Sequence, residues 1–173
     1  MSIVYVGMGA NLNNPAQTLY QALQVICHLP SSCIGKVSSF YLSKPMGPQD
    51  QPDYVNAVIE LHSDLTPEVL LESLQMIEDQ FGRQRTRRWG ERTLDLDILW
   101  FEGEQRQSPT LTLPHPGLRE REFVVMPLLE IAPALVFEDG VALSDIAAQL
   151  PQRQLSVLIS SHNISQLGQT DEG

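Results

Sequence analysis

An arginine cluster followed at once by two aspartates is the part of this chain with the clearest chemical potential. Five of the nine arginines lie between Arg83 and Arg92, and Asp95 and Asp97 come shortly after them. The chain as a whole is acidic, with a formal net charge of -10. A concentrated positive segment favours an anion, and two neighbouring carboxylates favour a cation. A polyphosphate that carries divalent metal ions satisfies both.

Asp95 and Asp97 stand two residues apart in a run typical of a β-strand. Such residues point to the same face, with Cα atoms roughly 6.5 Å apart. Carboxylates in this arrangement can hold two Mg²⁺ ions ~3.5–4 Å apart, which clamp a polyphosphate. The alternative is a pair of solvated acids. Against it, the neighbours are apolar on both faces, which predicts an internal strand where unpaired carboxylates are unfavourable. These neighbours are Leu94, Leu96, Ile98, Leu99, Trp100 and Phe101.

The arginine cluster would have to bind phosphate groups through its side chains. Arginine offers planar, bidentate hydrogen bonds to phosphate oxygens and keeps its charge. The chain has no GxxxxGK[ST] motif, so a phosphate-binding P-loop is excluded. The segment Gly7–Leu12 begins like a dinucleotide-binding fingerprint but lacks its third glycine, so we interpret it as strand-end packing. The alternative for the cluster is a solvated run of charge.

Two residues are candidates for binding a flat ligand. Trp89 lies within the arginine cluster, where an aromatic ring is either a stacking surface or a folding anchor. Asn56 follows a long loop and is either a donor and acceptor for the edge of a heterocycle or a structural amide.

Further polar residues lie near the cluster in sequence or in a turn. Gln75 and Glu78 are three apart on a predicted helix, so they share a face, which is either functional or simply exposed. His115 follows a proline in a turn, where it can donate to a phosphate. The other histidines are interpreted as surface residues: His28, His62 and His162.

The order of predicted elements is β-α-β-β-α-β, followed by extra elements. This order predicts an α+β fold of ferredoxin-like character, with a mainly antiparallel sheet and helices packed on it. Strands are predicted at 3–9, 34–42, 54–62 and 93–101, with a hairpin return at 105–113, and helices at 14–29, 66–81, 122–131 (interrupted by Pro127) and 143–150. Two long loops, 43–53 and 82–92, connect them. We expect one domain over 1–160 and a polar, flexible tail over 161–173.

Composition limits the class of protein. No apolar run approaches the ~20 residues that span a bilayer, and the N-terminus lacks a signal peptide, so a cytoplasmic location is expected. The acidic net charge argues against nucleic-acid and membrane partners, and we expect a monomer with small-molecule partners. Cys27 and Cys33 lack the spacing of a zinc site and are predicted to be reduced thiols.

Three segments of the chain closely resemble the hydroxymethyl-dihydropterin pyrophosphokinases of folate biosynthesis. They are the runs GPQDQPDYVN at 47–56, RWGERTLDLDI at 88–98 and LPH at 113–115. The similarity extends in order over about residues 3 to 140, and the second run is highly specific to the family.

The resemblance implies transfer of the β,γ-pyrophosphoryl group of ATP, a co-substrate, to the hydroxymethyl oxygen of 6-hydroxymethyl-7,8-dihydropterin, with release of AMP. It implies that Asp95 and Asp97 hold two Mg²⁺ ions. By similarity, the phosphates and the transferring group would be contacted by Arg83, Arg85 and Arg92, with Arg88 and Arg121 nearby. His115 would reach the triphosphate. The nucleotide pocket would include Gln75, Glu78, Ile98 and Thr112. The pterin would be sandwiched by Trp89 and Phe123, with Asn56 on its amide edge and Ser43, Met46 and Tyr54 around it.

The chain departs from the family pattern in places. Thr110 stands where an arginine is expected, and Pro116 stands where many members carry tyrosine. Both changes concern the nucleotide side and predict altered ATP affinity. The arginine loop is also one residue shorter than in some members, which leaves the division of roles among Arg83, Arg85 and Arg87 open. No role is assigned to the residues beyond about 150.

Two other functions fit parts of the sequence. A two-metal phosphodiesterase or nuclease would use Asp95 and Asp97, but it would need a third ligand and a basic nucleic-acid track that the sequence lacks. A ferredoxin-like regulatory domain that binds a small ligand would need no metal, and it leaves the arginine cluster unexplained.

Overall fold

Alternating apolar residues build a central β-sheet that is covered by helices on both faces. The computed structural model describes residues 1–82, 93–151 and 155–169. The strands are β1 Ser2–Ala10, β2 Ser32–Val37, β3 Phe40–Ser43, β4 Tyr54–Ser63, β5 Asp95–Phe101, β6 Arg106–Gln107, β7 Thr112–Leu113 and β8 Ser156–Ile159. The helices are α1 Pro15–Ile26, α2 Pro67–Gln80, α3 Glu122–Ile131 and α4 Leu143–Gln149, followed by a 3₁₀ helix over Ser161–Gln169.

The main sheet has the strand order β5-β1-β4-β3-β8, and β2 pairs with β4 as well. All of these pairs are antiparallel. The short strands β6 and β7 form a separate hairpin, as expected for 105–113. The predicted fold class, an α+β fold with a mainly antiparallel sheet, is confirmed.

Different helices pack on the two faces of the sheet. Val4, Val6 and Met8 of β1 belong to a core that includes the apolar residues of α1 and α2. Tyr5, from the same strand, belongs to a second core with residues of α3 and α4. Because successive side chains of a strand point to opposite faces, one strand supplies both cores. The site described below lies on the α3 face.

The expectation that the aspartate-bearing strand is internal is wrong for the part of the sheet that the structure describes. Strand β5 lies at the end of the strand order, next to β1 alone within the main sheet. It is nevertheless buried on both faces, because Leu96 and Ile98 pack in the α1–α2 core and Leu99 packs in the α3–α4 core. Helices on both sides of a sheet make even an edge strand apolar.

The single strand expected over 34–42 is two strands, β2 and β3, which pair with the same edge of β4. Between them, Ser38 replaces regular pairing with a side-chain contact. Its N–H donates to the Val58 carbonyl at 2.9 Å, and its Oγ accepts the Val58 N–H at 2.9 Å. The Ser38 hydroxyl thus takes the place of a backbone carbonyl as acceptor for the Val58 N–H. The alternation of residue types does not reveal such a replacement of a strand-pairing hydrogen bond.

Helix α2 begins and packs as its sequence predicts. Thr66 Oγ1 accepts the Val69 N–H at 3.3 Å, and Pro67 occupies the first helical position. Leu70, Leu74 and Ile77 are buried in the core below the sheet. In contrast, the interruption expected at Pro127 is absent, since α3 runs through it from Glu122 to Ile131.

The C-terminal residues differ from the frayed tail that was expected after about Ser160. Up to Gln169 they form the 3₁₀ helix, and Ile164 is buried in the α1–α2 core. Apolar residues three apart, Ile164 and Leu167, explain the packing, because they share a face in a 3₁₀ helix. The domain boundaries remain a prediction, and residues 170–173 lie outside the described part.

The helices in the described ranges include none that is long and apolar enough to cross a membrane. Cys27 and Cys33 are free thiols at the surface, as expected.

Glu130 ties α3 to the break between β2 and β3. Its carboxylate accepts the Ser39 N–H at 2.7 Å, the Ser39 hydroxyl at 2.7 Å and the Tyr41 hydroxyl at 2.8 Å. Burial and then the hydrogen bond and charge of Glu130 raise the pKa of Tyr41 well above its usual range.

Replacing Glu130 by alanine should destabilise the protein, because three donors lose a charged acceptor. We expect a loss of about 1–3 kcal/mol in the free energy of unfolding, measured by urea denaturation. Glu72→Ala, at an exposed position of α2, is the matched control. Equal stability of the two variants would show that the Glu130 contacts contribute nothing net.

Candidate active site

A cavity of about 290 Å³ opens on the α3 face of the sheet, beside the first turn of α3. It brings together residues from β1, β3, β4, β5, the His115 turn and α3. Nine of the residues predicted from the sequence line it: Ser43, Met46, Tyr54, Asn56, Asp95, Asp97, His115, Arg121 and Phe123. The two aspartates and the two basic side chains therefore face one space, although they are up to 26 residues apart in the chain.

The floor of the cavity is set by strand register. Gly9 of β1 lies between Asp95 of β5 and Asn56 of β4. Two residues earlier in β1, Gly7 lies between Asp97 of β5 and Val58 of β4. Directly opposite residues point to the same face, so the two carboxylates flank a strip of β1 that carries no side chain.

The glycines matter because side chains there would fill the cavity. A Cβ at position 9 would lie 3.0 Å from Asn56 Oδ1. A Cβ at position 7 would lie 3.4 Å from the Leu99 side chain. The absence of side chains gives a flat ligand room against the sheet beside the carboxylates.

Asn56 and Ser43 form the buried polar end of the cavity. Asn56 is 6% exposed and donates from Nδ2 to Ser43 Oγ at 2.6 Å. This bond fixes the orientation of the amide, with Oδ1 directed toward the Gly9 backbone. A pre-oriented amide and hydroxyl in an apolar setting can recognise the donor and acceptor edge of a heterocycle.

The loop between β3 and β4 is held by its own amides. Asn11 Nδ2 donates to Gln51 Oε1 and to the Pro52 carbonyl, both at 2.9 Å. Gln49 Nε2 donates to the Pro45 carbonyl at 2.9 Å. These bonds fasten the predicted functional loop to the end of β1, so Met46 and Tyr54 line the cavity from a defined backbone.

His115 is held in one orientation and one neutral tautomer. Its backbone N–H donates to the Leu99 carbonyl at 2.8 Å, which seats the turn against β5. The Gly117 N–H donates to Nδ1 at 3.0 Å, so the proton of the neutral ring is on Nε2. Burial and then the positive charge of Arg121 lower the pKa of His115, while the charge of Asp95 opposes the shift. The ring is thus a neutral donor.

Arg121 and Phe123 enter the cavity from the start of α3. Arg121 is the N-cap residue, in an extended conformation, and its side chain lines the cavity. Anions are favoured at this point both by the guanidinium and by the N-terminus of a helix. Phe123 adds an aromatic wall. A second cleft of about 720 Å³ adjoins the cavity and shares Arg121 and Phe123 with it.

Four predicted nucleotide residues do not line this cavity. Gln75 is exposed on α2, Ile98 is buried in the core below the sheet, and Thr112 pairs with Gln107 in the β6–β7 hairpin. Glu78 is only 1% exposed and accepts the Leu96 N–H at 3.2 Å, at the outer edge of β5. The three elements that carry these residues nevertheless meet, since α2 and β7 both contact β5.

The arginine cluster and its tryptophan lie outside the described residues. The predictions for Arg83, Arg85, Arg88, Trp89 and Arg92 therefore remain predictions. The segment that carries them connects α2 to β5 and ends three residues before Asp95.

The sequence pattern favoured strand-end packing for Gly7 and Gly9 and did not predict that they line the cavity. The available signal was their alternation: two glycines two apart in a strand mark one face without side chains. Lys44, Val58 and Leu99 also line the cavity and were not predicted. Apolar strand residues carry no local sign that distinguishes a cavity wall from a core.

The family model for 7,8-dihydro-6-hydroxymethylpterin-pyrophosphokinase (HPPK) matches residues 5–133. The chain is 47% identical over 155 residues to the 2-amino-4-hydroxy-6-hydroxymethyldihydropteridine pyrophosphokinase of Haemophilus influenzae, covering 90% of this chain and 97% of that protein. It is 44% identical to the enzyme of the same name from Pseudomonas aeruginosa, covering 86% of this chain and 91% of that protein.

Solved structures with the same fold include a triple mutant of Plasmodium falciparum HPPK-DHPS with STZ-DHP. It superposes with a TM-score of 0.66 at 12% sequence identity, covering 86% of this chain and 43% of that one. A structure of HPPK-DHPS in complex with substrates gives a TM-score of 0.65 at 12% identity, covering 86% of this chain and 45% of that one. At this identity the likeness shows the fold, and the chain spans less than half of either protein.

The neutral tautomer of His115 leads to a prediction about its titration. By imidazole ¹⁵N NMR, its pKa should fall below 6.5, with the proton on Nε2 in the neutral form. Because the pKa of His115 is lower in the folded protein than in the unfolded chain, the neutral ring contributes to the free energy of unfolding above about pH 6.5. This contribution is lost as the pH falls through the folded pKa. A pKa at or above the ordinary value, or a proton on Nδ1, would contradict the assignment.

Proposed function

This chain belongs to the 7,8-dihydro-6-hydroxymethylpterin-pyrophosphokinase family, and we propose that it performs the family's reaction in the cavity above β1, β4 and β5. It is an ATP-dependent pyrophosphokinase of folate synthesis. In this reaction the hydroxymethyl oxygen of the pterin forms a bond to the β-phosphorus of ATP. The bond between that phosphorus and the oxygen bridging to the α-phosphorus breaks, AMP leaves, and the hydroxyl proton is lost.

One observation carries the assignment of the site. Asp95 and Asp97 share a single cavity with His115 and Arg121, and its other end is the buried polar pair Asn56 and Ser43. The first end has the charges that a metal-bound polyphosphate requires, and the second has the size and polarity that a flat heterocycle requires.

We assign the pterin to the end formed by Asn56, Ser43 and Phe123. Asn56 would recognise the amide edge of the ring with an amide whose orientation Ser43 already fixes. Phe123 would stack on one face, and Met46 and Tyr54 would close the sides. Trp89, from the sequence resemblance, is proposed for the opposite ring face. The glycine strip of β1 leaves room for the ring beside the carboxylates.

The donor set fits Mg²⁺ in the company of a triphosphate. In the described part of the chain, no three His, Cys, Asp or Glu side chains converge as a metal site of their own. Two carboxylates are what Mg²⁺ uses when substrate phosphates and water complete its octahedron. We therefore propose Asp95 and Asp97 as ligands of two Mg²⁺ ions, which would neutralise phosphate charge and align the reacting groups.

We propose that basic side chains make the remaining phosphate contacts. His115 would donate from Nε2 to a phosphate oxygen, and Arg121 would add a fixed positive charge. Arg83, Arg85 and Arg92, with Arg88 nearby, are proposed for the triphosphate and the transferring group. Transfers of this kind depend mainly on alignment and charge stabilisation, which these side chains supply.

The nucleotide end is proposed to lie along the outer edge of β5. There Glu78 of α2 accepts the Leu96 N–H, which is adjacent to both aspartates in sequence. Gln75, Ile98 and Thr112 are proposed for the same region. We propose a monomer as the active unit. We also propose a cytoplasmic location, where ATP is available.

Product analysis tests the proposed reaction. With ATP, Mg²⁺ and 6-hydroxymethyl-7,8-dihydropterin, the protein should produce AMP and pterin diphosphate in equal amounts, and only when pterin is present. The Asp97→Asn variant should lose this turnover, while Asp145→Asn, at an exposed position of α4, should retain it. ADP instead of AMP would indicate an ordinary kinase, and pterin-independent turnover would indicate a hydrolase.

A further inference from the structure

Gly117, in the turn before α3, contacts both His115 and Arg121, the two basic side chains proposed above to bind the triphosphate. We propose that Gly117 is a positioning residue: its lack of a side chain seats the Arg121 guanidinium, and its N–H orients the His115 ring. The inference rests on the proposed function, since it assumes that Arg121 and His115 face the triphosphate.

The Arg121 side chain occupies the space where a side chain at position 117 would begin. A Cβ built on Gly117 would lie 2.5 Å from Arg121 Nε, 2.7 Å from Cζ and 3.1 Å from Cδ. Real side chains do not approach this closely, so the observed Arg121 conformation requires glycine at 117. Gly117 is itself buried, and these distances place the Arg121 guanidinium against its backbone.

The Gly117 N–H also donates a hydrogen bond to His115 Nδ1 at 3.0 Å. It leaves the Nε2–H as the donor of the ring. One residue thus sets the donor direction of His115 and the position of the Arg121 charge. Both side chains line the cavity that holds Asp95 and Asp97.

The turn holds Gly117 in place through its neighbours. The Leu118 N–H donates to the His115 carbonyl at 3.1 Å, and the Glu120 N–H donates to the Gly117 carbonyl at 3.3 Å. Leu118 is 1% exposed and packs in the α3–α4 core. Because the backbone is fixed on both sides, an added methyl group at 117 would displace the flexible arginine side chain rather than the turn.

The Gly117→Ala variant tests this directly. The alanine keeps the N–H, so His115 should be unaffected and folding should be nearly normal by thermal denaturation. The Arg121 Nε–H signal in NMR spectra should shift. Pyrophosphoryl transfer should fall by about 10- to 100-fold, the scale of one lost charged hydrogen bond. Arg121→Ala should cause a similar loss, and the double variant should be no worse than Arg121→Ala alone.

Two matched controls separate positioning from general damage. Gly35→Ala adds an equally crowded methyl group far from the site, 2.7 Å from Glu60 Oε1. Arg119→Ala removes an arginine that is paired with Asp139 at 2.7 Å, away from the cavity. Both should keep the transfer rate.

The outcomes distinguish the two proposals. If Arg121→Ala reduces transfer but Gly117→Ala leaves both the Arg121 signal and the rate unchanged, the positioning role is wrong and the proposed function stands. Additive losses in the double variant would also reject it. If the Arg121 signal shifts in Gly117→Ala but neither variant affects transfer, Gly117 does position Arg121 and the assignment of Arg121 to the phosphates is wrong.

Discussion

The antiparallel register of β1 with its two neighbours is the constraint on which the rest of the site depends. It places Gly9 between Asp95 and Asn56, and Gly7 between Asp97 and Val58. A shift by one residue would turn both carboxylates into the α1–α2 core, where they would be buried without partners. The register is fixed by the alternation of apolar residues in β1, since Val4, Val6 and Met8 must face that core.

From this constraint the two ends of the cavity follow. Strand β4 carries Asn56 to one side of the glycine strip, and β5 carries the aspartates to the other. Helix α3 covers the same face of the sheet, and its first turn supplies Arg121 and Phe123. Glu130, at the far end of α3, binds Ser39 and Tyr41. The helix is therefore fastened to the sheet near its C-terminus while its N-terminus faces the cavity.

Much of this arrangement was predictable because its signals are local. Residues two apart in an apolar strand must share a face, so Asp95 and Asp97 were identifiable as a pair. The order of elements led to the correct fold class. The resemblance to the family added Ser43, Met46, Tyr54 and Phe123, which the structure brings into the same cavity.

Other features depend on contacts in the folded protein that the sequence pattern does not predict. The edge position of β5 could not be inferred, because helices bury both faces of the sheet and make an edge strand as apolar as an internal one. The break at Ser38 depends on a hydroxyl that replaces a ladder bond with Val58. The importance of Gly117 depends on where the Arg121 side chain, four residues later, folds back.

The central claim is that Asp95 and Asp97 together hold two divalent ions against the triphosphate. The most direct measurement is a crystal structure with Mn²⁺, a non-hydrolysable ATP analogue and the pterin, using anomalous scattering to locate the metal. We expect two peaks ~3.5–4 Å apart, each bound by at least one of the two carboxylates and by phosphate oxygens. A single peak, or peaks that neither aspartate contacts, would contradict the account.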